Sequence, residues 1–382
     1  MKTCNPLIVL LLLVLSVSSF AERTPGFSMA AFKAAVPRSS SDAVFSPFPF
    51  ELDCALISEA FGPMEKAVYV EALGALVGYD SVFKPISEQY TGLATNDFVL
   101  VSARAFLASS IRLVTPKYRS FIQDEYRTQV CPVRPVADGA ESYLKATMDG
   151  EMEDFSVTEG LRPLRGVSFC DLESLHCRWS VPFPKDATRP CDFVSADGSV
   201  RSVAMMNDVR TADIWKTDRF SMLRLPMTCG AFFFAVLPSE GAALDSVRED
   251  FAAEKFDAAM VAFRAVADPS VFHGAVSVAL PRLAIDSVVD LKPVLQTLAM
   301  PIGGFKEILL EKSGTLDSVI QRTRFVLDER GLSDPSAEAS RSAPADRGEG
   351  RKFICNRPFL FFVYHEPTRS VPVAGIFAGG VS

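Results

Sequence analysis

The chain has 382 residues, 48% hydrophobic and 22% charged, the make-up of a globular protein with a large core and not of a disordered chain. Its formal charge is -7, with acidic and basic side chains interspersed, and no run of lysine or arginine offers a surface for nucleic acid or a heparin-like polymer.

Met1 to Ala21 carries one early charge, Lys2, then the apolar run Pro6 to Val17 and the small-residue pattern Ser19-Phe20-Ala21, so it reads as an export signal cleaved before Glu22. The run falls short of the roughly 20 residues of a membrane span, and no later stretch reaches that length. Without Lys2, 38 basic side chains face 46 acidic ones, a net charge of -8. Cys54, Cys131, Cys170, Cys177, Cys191, Cys229 and Cys355 remain; an odd count without regular spacing is neither a disulfide framework nor a zinc site. Most read as buried thiols, with a Cys170–Cys177 bridge left open. None of the asparagines opens a glycosylation acceptor.

In chain order, the spacing of Phe27, Ala30, Ala31 and Ala34 predicts a helix, as does Met64 through Leu76. Phe98 to Leu107 reads as a strand, Lys117 to Val130 and Ala140 to Met152 as helices. Strands follow at Val167 to Leu175, Ser199 to Met206, Phe220 to Leu225, Ala231 to Leu237 and Ala275 to Leu283, with helix from Ala243 to Val266. The alternation lacks βαβ regularity and predicts an α+β fold with mainly antiparallel sheets. Gly331 to Arg351 is small, polar and proline-dotted, a loop of about twenty residues, far beyond the usual connection. PFLFFVY and SVPVAGIF close the chain as two strands around a tight turn.

Those closing residues carry a resemblance. Phe353-x-x-Asn356-Arg357-Pro358-Phe359-Leu360-Phe361 and Val373-Ala374-Gly375 are similar to the C-terminal signature of the serpins. Phe45-Ser46-Pro47, Trp179-x-x-Pro182-Phe183, Val203-x-Met205-Met206, Leu225-Pro226, Ala235-x-Leu237-Pro238, Leu280-Pro281-Arg282 and Asp290-Leu291-Lys292 follow that family in order, spanning nearly all of 22–382. The resemblance implies a single domain of three sheets, eight or nine helices and an exposed reactive-centre loop at about 331–351. In the family a protease cleaves that loop and becomes acyl-linked to it. The loop then enters the large sheet as a strand and deforms the captured enzyme.

The chain departs from the family where insertion starts. Glu329 and Gly331 match the hinge, but Leu332, Asp334 and Pro335 stand among positions that are usually small. Leu332, Asp334 and Ser336 share the inward face, so Asp334 becomes a charge driven into the core, and Pro335 lacks an N–H for the ladder. In the shutter beneath the sheet Ser46 matches, whereas Pro49, Asp171 and Gln321 replace the expected serine, asparagine and histidine; an Asp171–Gln321 hydrogen bond is open to them. Tyr143 stands where a tryptophan is usual. Counted from Gly331 the scissile bond is Ala345-Asp346, suited to an elastase-like enzyme; Arg347-Gly348, suited to a trypsin-like one, is the alternative.

No nucleophile, phosphate-loop or zinc motif is present, and His176, His273 and His365 are scattered, so no catalytic residue, metal or cofactor is expected. Two classes remain. One is a secreted, monomeric inhibitor of an extracellular serine or cysteine protease; the other is a serpin-fold carrier or chaperone-like protein, cleaved only as a substrate.

Overall fold

The computed structural model describes residues 26–36, 41–74, 98–108, 114–126, 128–132, 136–148, 152, 154, 156, 166–251, 253–265, 268–305, 314–332 and 351–380. Eight α-helices lie in them: α1 (Gly26–Ala35), α2 (Pro47–Ser58), α3 (Pro63–Ala72), α4 (Pro116–Tyr126), α5 (Val136–Thr147), α6 (Leu244–Asp250), α7 (Ala253–Arg264) and α8 (Lys292–Thr297). Proline opens α2, α3 and α4, where a missing N–H leaves no bond unmade.

The strands run β1 (Ala43–Phe45), β2 (Phe98–Ala108), β3 (Gln129–Pro132), β4 (Val167–Arg178), β5 (Arg189–Val194), β6 (Val200–Lys216), β7 (Phe220–Pro226) and β8 (Ala231–Pro238). They continue as β9 (Val271–Pro281), β10 (Leu283–Asp290), β11 (Gly303–Phe305), β12 (Gly314–Asp328), β13 (Gly331–Leu332), β14 (Arg351–Ile354), β15 (Phe359–His365) and β16 (Ser370–Phe377).

One sheet has the order β10-β12-β13-β4-β2-β3, with β11 on β12. The other runs β1-β16-β15-β8-β7-β6-β9-β14, with β5 on β6. Two of the three expected sheets are therefore continuous with each other. The long strand β6 joins them, pairing with β5 at one end, with β9 along its length and with β7 at the other end. The closing hairpin is buried throughout, Phe361 stacking on Phe233 and Phe325 with centroids 6.2 and 4.7 Å away. Gly375 is required there, because a Cβ would come within 2.3 Å of the Phe361 ring.

Several expected boundaries shift. The helix read from Lys117 to Val130 ends at Tyr126, and Val130 and Cys131 pair in parallel with Phe106 and Leu107, so the β-branched tail finds a strand. The helix read as Ala140 to Met152 begins at Val136 and ends at Thr147. Ala243 to Val266 divides into α6 and α7 at Phe251, whose ring packs between Phe220 and Phe256. The strand expected to run to Leu283 is broken at Arg282, where the chain passes from one sheet to the other. Among the described residues no disulfide forms; Cys170 and Cys177 lie about 23 Å apart along one strand, beyond any bridge.

Candidate functional site

β4 and β12 are neighbours but parallel, paired from Val167 with Leu316 to Ser174 with Arg324. Parallel neighbours leave room for one strand antiparallel to both, and at the head of this seam the chain has begun to supply it. Beyond Arg324 the strands part, and β13 sits between them: Leu332 is opposite Leu327 on one side and Cys177 on the other, Gly331 opposite Asp328 and Arg178. Leu332 is 1% exposed. Gly331 has φ +131°, and a Cβ would lie 2.3 Å from the Cys177 carbonyl oxygen, so the turn into the seam needs glycine.

The turn before it is tied from several sides. Trp179 N–H donates to the Arg330 carbonyl and Phe183 N–H to the Glu329 carbonyl, both at 2.8 Å, while Trp179 Nε1 donates to the Asp328 carbonyl at 2.9 Å. Arg330 pairs with Asp328 at 2.6 Å. The Glu329 carboxylate is buried and accepts from Arg282 Nε and Nη2 at 2.9 and 2.6 Å and from the Thr188 hydroxyl. The other hinge residues, Asp334 and Pro335, and the proposed bonds Ala345-Asp346 and Arg347-Gly348 lie outside the described residues.

Lower in the seam the shutter positions meet on the inner face. Gln321 Oε1 accepts from the Ser46 N–H at 2.8 Å and its Nε2 donates to the Ser46 carbonyl at 3.1 Å. Thr323 donates to the Ser46 hydroxyl at 3.2 Å. Pro49 is buried in the first turn of α2, where its missing N–H is harmless. Asp171 is in register with Gln321 on β12 and with Arg104 on β2, but the Gln321 amide is taken by Ser46 and Asp171 turns to charged partners instead.

Those partners form a cluster that the sequence reading did not single out. Arg104 Nε lies 2.9 Å from Asp53 Oδ1 and 3.1 Å from Asp171 Oδ1, and Arg104 Nη2 lies 3.6 Å from Glu173 Oε1. Ser102 donates to Glu173 at 2.8 Å. Burial pushes the carboxyls of Asp53 and Asp171 above the ordinary range; the Asp53 charge pushes Asp171 further, and Arg104 pulls both down. Burial likewise pushes Glu173 up to about 8, against the pull of Arg104. The visible signal was Ser102-x-Arg104 and Asp171-x-Glu173, polar residues at period two within apolar strands.

The outer face of the seam is covered by α5. Its Leu144, with Met148 and Met152 beyond it, packs on Ala103, Ala105, Cys170, Leu172 and Ile320, and half-buried Tyr143 joins them. Past Met152, Asp154 reaches across to Arg322 and Arg324 of β12, at 3.2 and 3.1 Å, and both arginines also pair with Asp286 of β10.

The family model described as Serpin (serine protease inhibitor) matches residues 23–379. Human Serpin I2 is 24% identical over 300 residues, 74% of this chain and 67% of that protein. Pig alpha-1-antitrypsin is 26% identical over 208 residues, which make up 52% of this chain and 46% of that protein. Among solved structures, Serpin48 of the insect Tenebrio molitor superposes with TM-score 0.77 at 19% identity, covering 93% of this chain and 96% of its own. A thyroxine-binding globulin complex with thyroxine gives 0.78 at 14%, covering 94% and 99%. At these identities the structural likeness bears on the fold alone. Among the described residues, no helix is long and apolar enough to cross a membrane.

Proposed function

The chain belongs to the serpin family, and from that membership we propose that it is a secreted serine-type endopeptidase inhibitor, acting once by loop cleavage, acyl-enzyme capture and insertion of the loop as a strand. The observation that carries the reading is the position of Gly331 and Leu332, hydrogen-bonded into the head of a seam between two parallel strands and antiparallel to both. The loop that follows needs only to continue that register to become a central strand.

The same register supports inefficient trapping. Continued past Leu332, it would set Asp334 opposite Leu175 and Phe325, and Glu338 opposite Asp171 and Gln321. Burying an uncompensated carboxylate costs several kcal/mol, and Pro335 has no N–H for the ladder. Insertion slowed at its first steps loses the race against deacylation, so much of the protein is turned over as substrate. Ala345-Asp346 is the bond for an elastase-like target and Arg347-Gly348 for a trypsin-like one; a cysteine protease that acylates in the same way is a third. The proposed working unit is the monomeric chain 22–382.

Asp334 and Pro335 also favour a second reading, a serpin-fold carrier or chaperone-like protein whose loop is only bait. Incubation with an elastase-like and a trypsin-like protease, read on a denaturing gel with the mass of the released C-terminal peptide, separates the two. A covalent complex that survives denaturation is the expected result, and the peptide mass fixes the bond. Complete cleavage with no complex at any ratio would overturn the inhibitor reading.

A further inference from the structure

Helix α2 runs beneath the seam and is fastened on both sides of it. At its N-terminal end Gln321 and Thr323 of β12 hold Ser46. Seven residues on, about 10 Å along the helix, Asp53 meets Arg104 of β2 and, with it, Asp171 and Glu173 of β4. Widening the seam draws β12 away from β2 and β4, so one fastening has to let go.

The two differ in chemistry. The β12 side is made of an amide, hydroxyls and backbone and carries no charge. The β4 side sets three carboxyls, each 0% exposed, against one guanidinium that is 5% exposed. Fully ionised, it is a buried site with two negative charges in excess.

No other described group facing it makes up the difference. On α2, Cys54 is pushed well up by burial and Glu51 takes the Ser28 hydroxyl; beyond its end, Glu59 pairs with Lys66 at 2.7 Å. Tyr118 and Tyr126 of α4 are pushed well up by burial and stay neutral. Through the sheet, Cys170 is pushed well up in the same way, and Glu141 of α5 pairs with Lys145 at 2.8 Å.

We propose that Asp53, Arg104, Asp171 and Glu173 form a proton-operated fastening of the seam: while the carboxyls share protons, α2 grips β2 and β4 and the seam stays closed, and when those protons pass to solvent the like charges repel and the seam opens. The sign follows from linkage. Opening hydrates the carboxyls and returns them toward their ordinary values, so the closed state binds more protons and rising pH favours the open one. The window runs from the ordinary carboxyl range up to about 8, the value to which Glu173 is pushed.

Hydrogen exchange on the intact protein, corrected for intrinsic base catalysis, reads the seam directly. Between pH 6 and pH 9 protection of the Val319 to Arg324 amides falls about tenfold in the native chain, the equivalent of one pKa unit of coupling. In Asp171→Asn, which keeps the shape and removes one charge, it falls less than about twofold. Should that variant fail to fold, Glu173→Gln makes the same prediction with Ser102 still in place. Gln321→Ala, which cuts the neutral fastening, lowers protection at every pH and leaves the slope intact. An equal fall in the native chain and both carboxamide variants, or one shared by the distant β8–β15 ladder, would overturn the proposal.

Discussion

At the scale of single residues, the hinge turn depends on positions that admit no substitute. A Cβ on Gly331 meets the Cys177 carbonyl, the Arg178 Cα and the Trp179 nitrogen within 2.8 Å. Gly331→Ala therefore expels Leu332 and costs about 1–3 kcal/mol, measured by the urea midpoint together with faster exchange of the Trp179 amide. Arg282→Ala leaves the buried Glu329 carboxylate with Thr188 alone and costs a similar ~1–3 kcal/mol. On the proposed insertion, replacing Asp334 and Pro335 with alanine spares the entering strand a charge and restores an N–H, so the fraction of protease trapped rises at least about tenfold, measured as inhibitor consumed per complex. Glu329, Gly331, Ser46 and Gln321 were legible because a resemblance marked them. Asp53, Arg104 and Glu173 were not, for a physical reason. β2 and β4 are covered on both faces, so a polar residue at period two does not say which side is wet; the ion pairs form only once three distant segments are stacked.

At the scale of elements, the seam between β4 and β12 is tied above as well as below. Asp154 links the segment after α5 to two arginines of β12, across the line along which the strands part. Pairs to the exposed Asp154 carboxylate are worth about 0.2–1 kcal/mol each, so losing both in Asp154→Ala speeds opening by about two- to thirtyfold, readable as exchange of the Val319 to Arg324 amides. The closing hairpin makes a separate prediction. Burial pushes the His365 imidazole down, while its Nδ1 meets the Thr368 hydroxyl at 2.7 Å. The folded protein thus binds this proton less readily than the unfolded chain, and the stability it contributes is lost as pH falls below the ordinary imidazole value; His365→Gln flattens that acid limb in urea titrations. Long strands and the final hairpin were readable from apolar patterning. The boundary at Tyr126 and the break at Phe251 were not, because each is decided by what the segment packs on.

At the scale of the whole molecule, two parallel strands paired with each other along most of their length part only at their head, around Gly331 and Leu332, and the polar segment 333–350 is long enough in sequence to form a strand between them. On the proposed reading, cleavage frees the loop to add one strand between β4 and β12, and one of the two fastenings of α2 gives way as the seam widens. Continuous insertion adds a ladder on both sides of the new strand and exchanges an open head for a fully paired sheet. Insertion is read from the melting temperature before and after a single cut in the loop, in the wild-type chain and with Asp334 and Pro335 replaced by alanine. Insertion gives a higher melting temperature after the cut, modest in the wild type and larger in the variant. An unchanged melting temperature in both, with the cut verified by mass, would contradict insertion and leave the fold as a carrier.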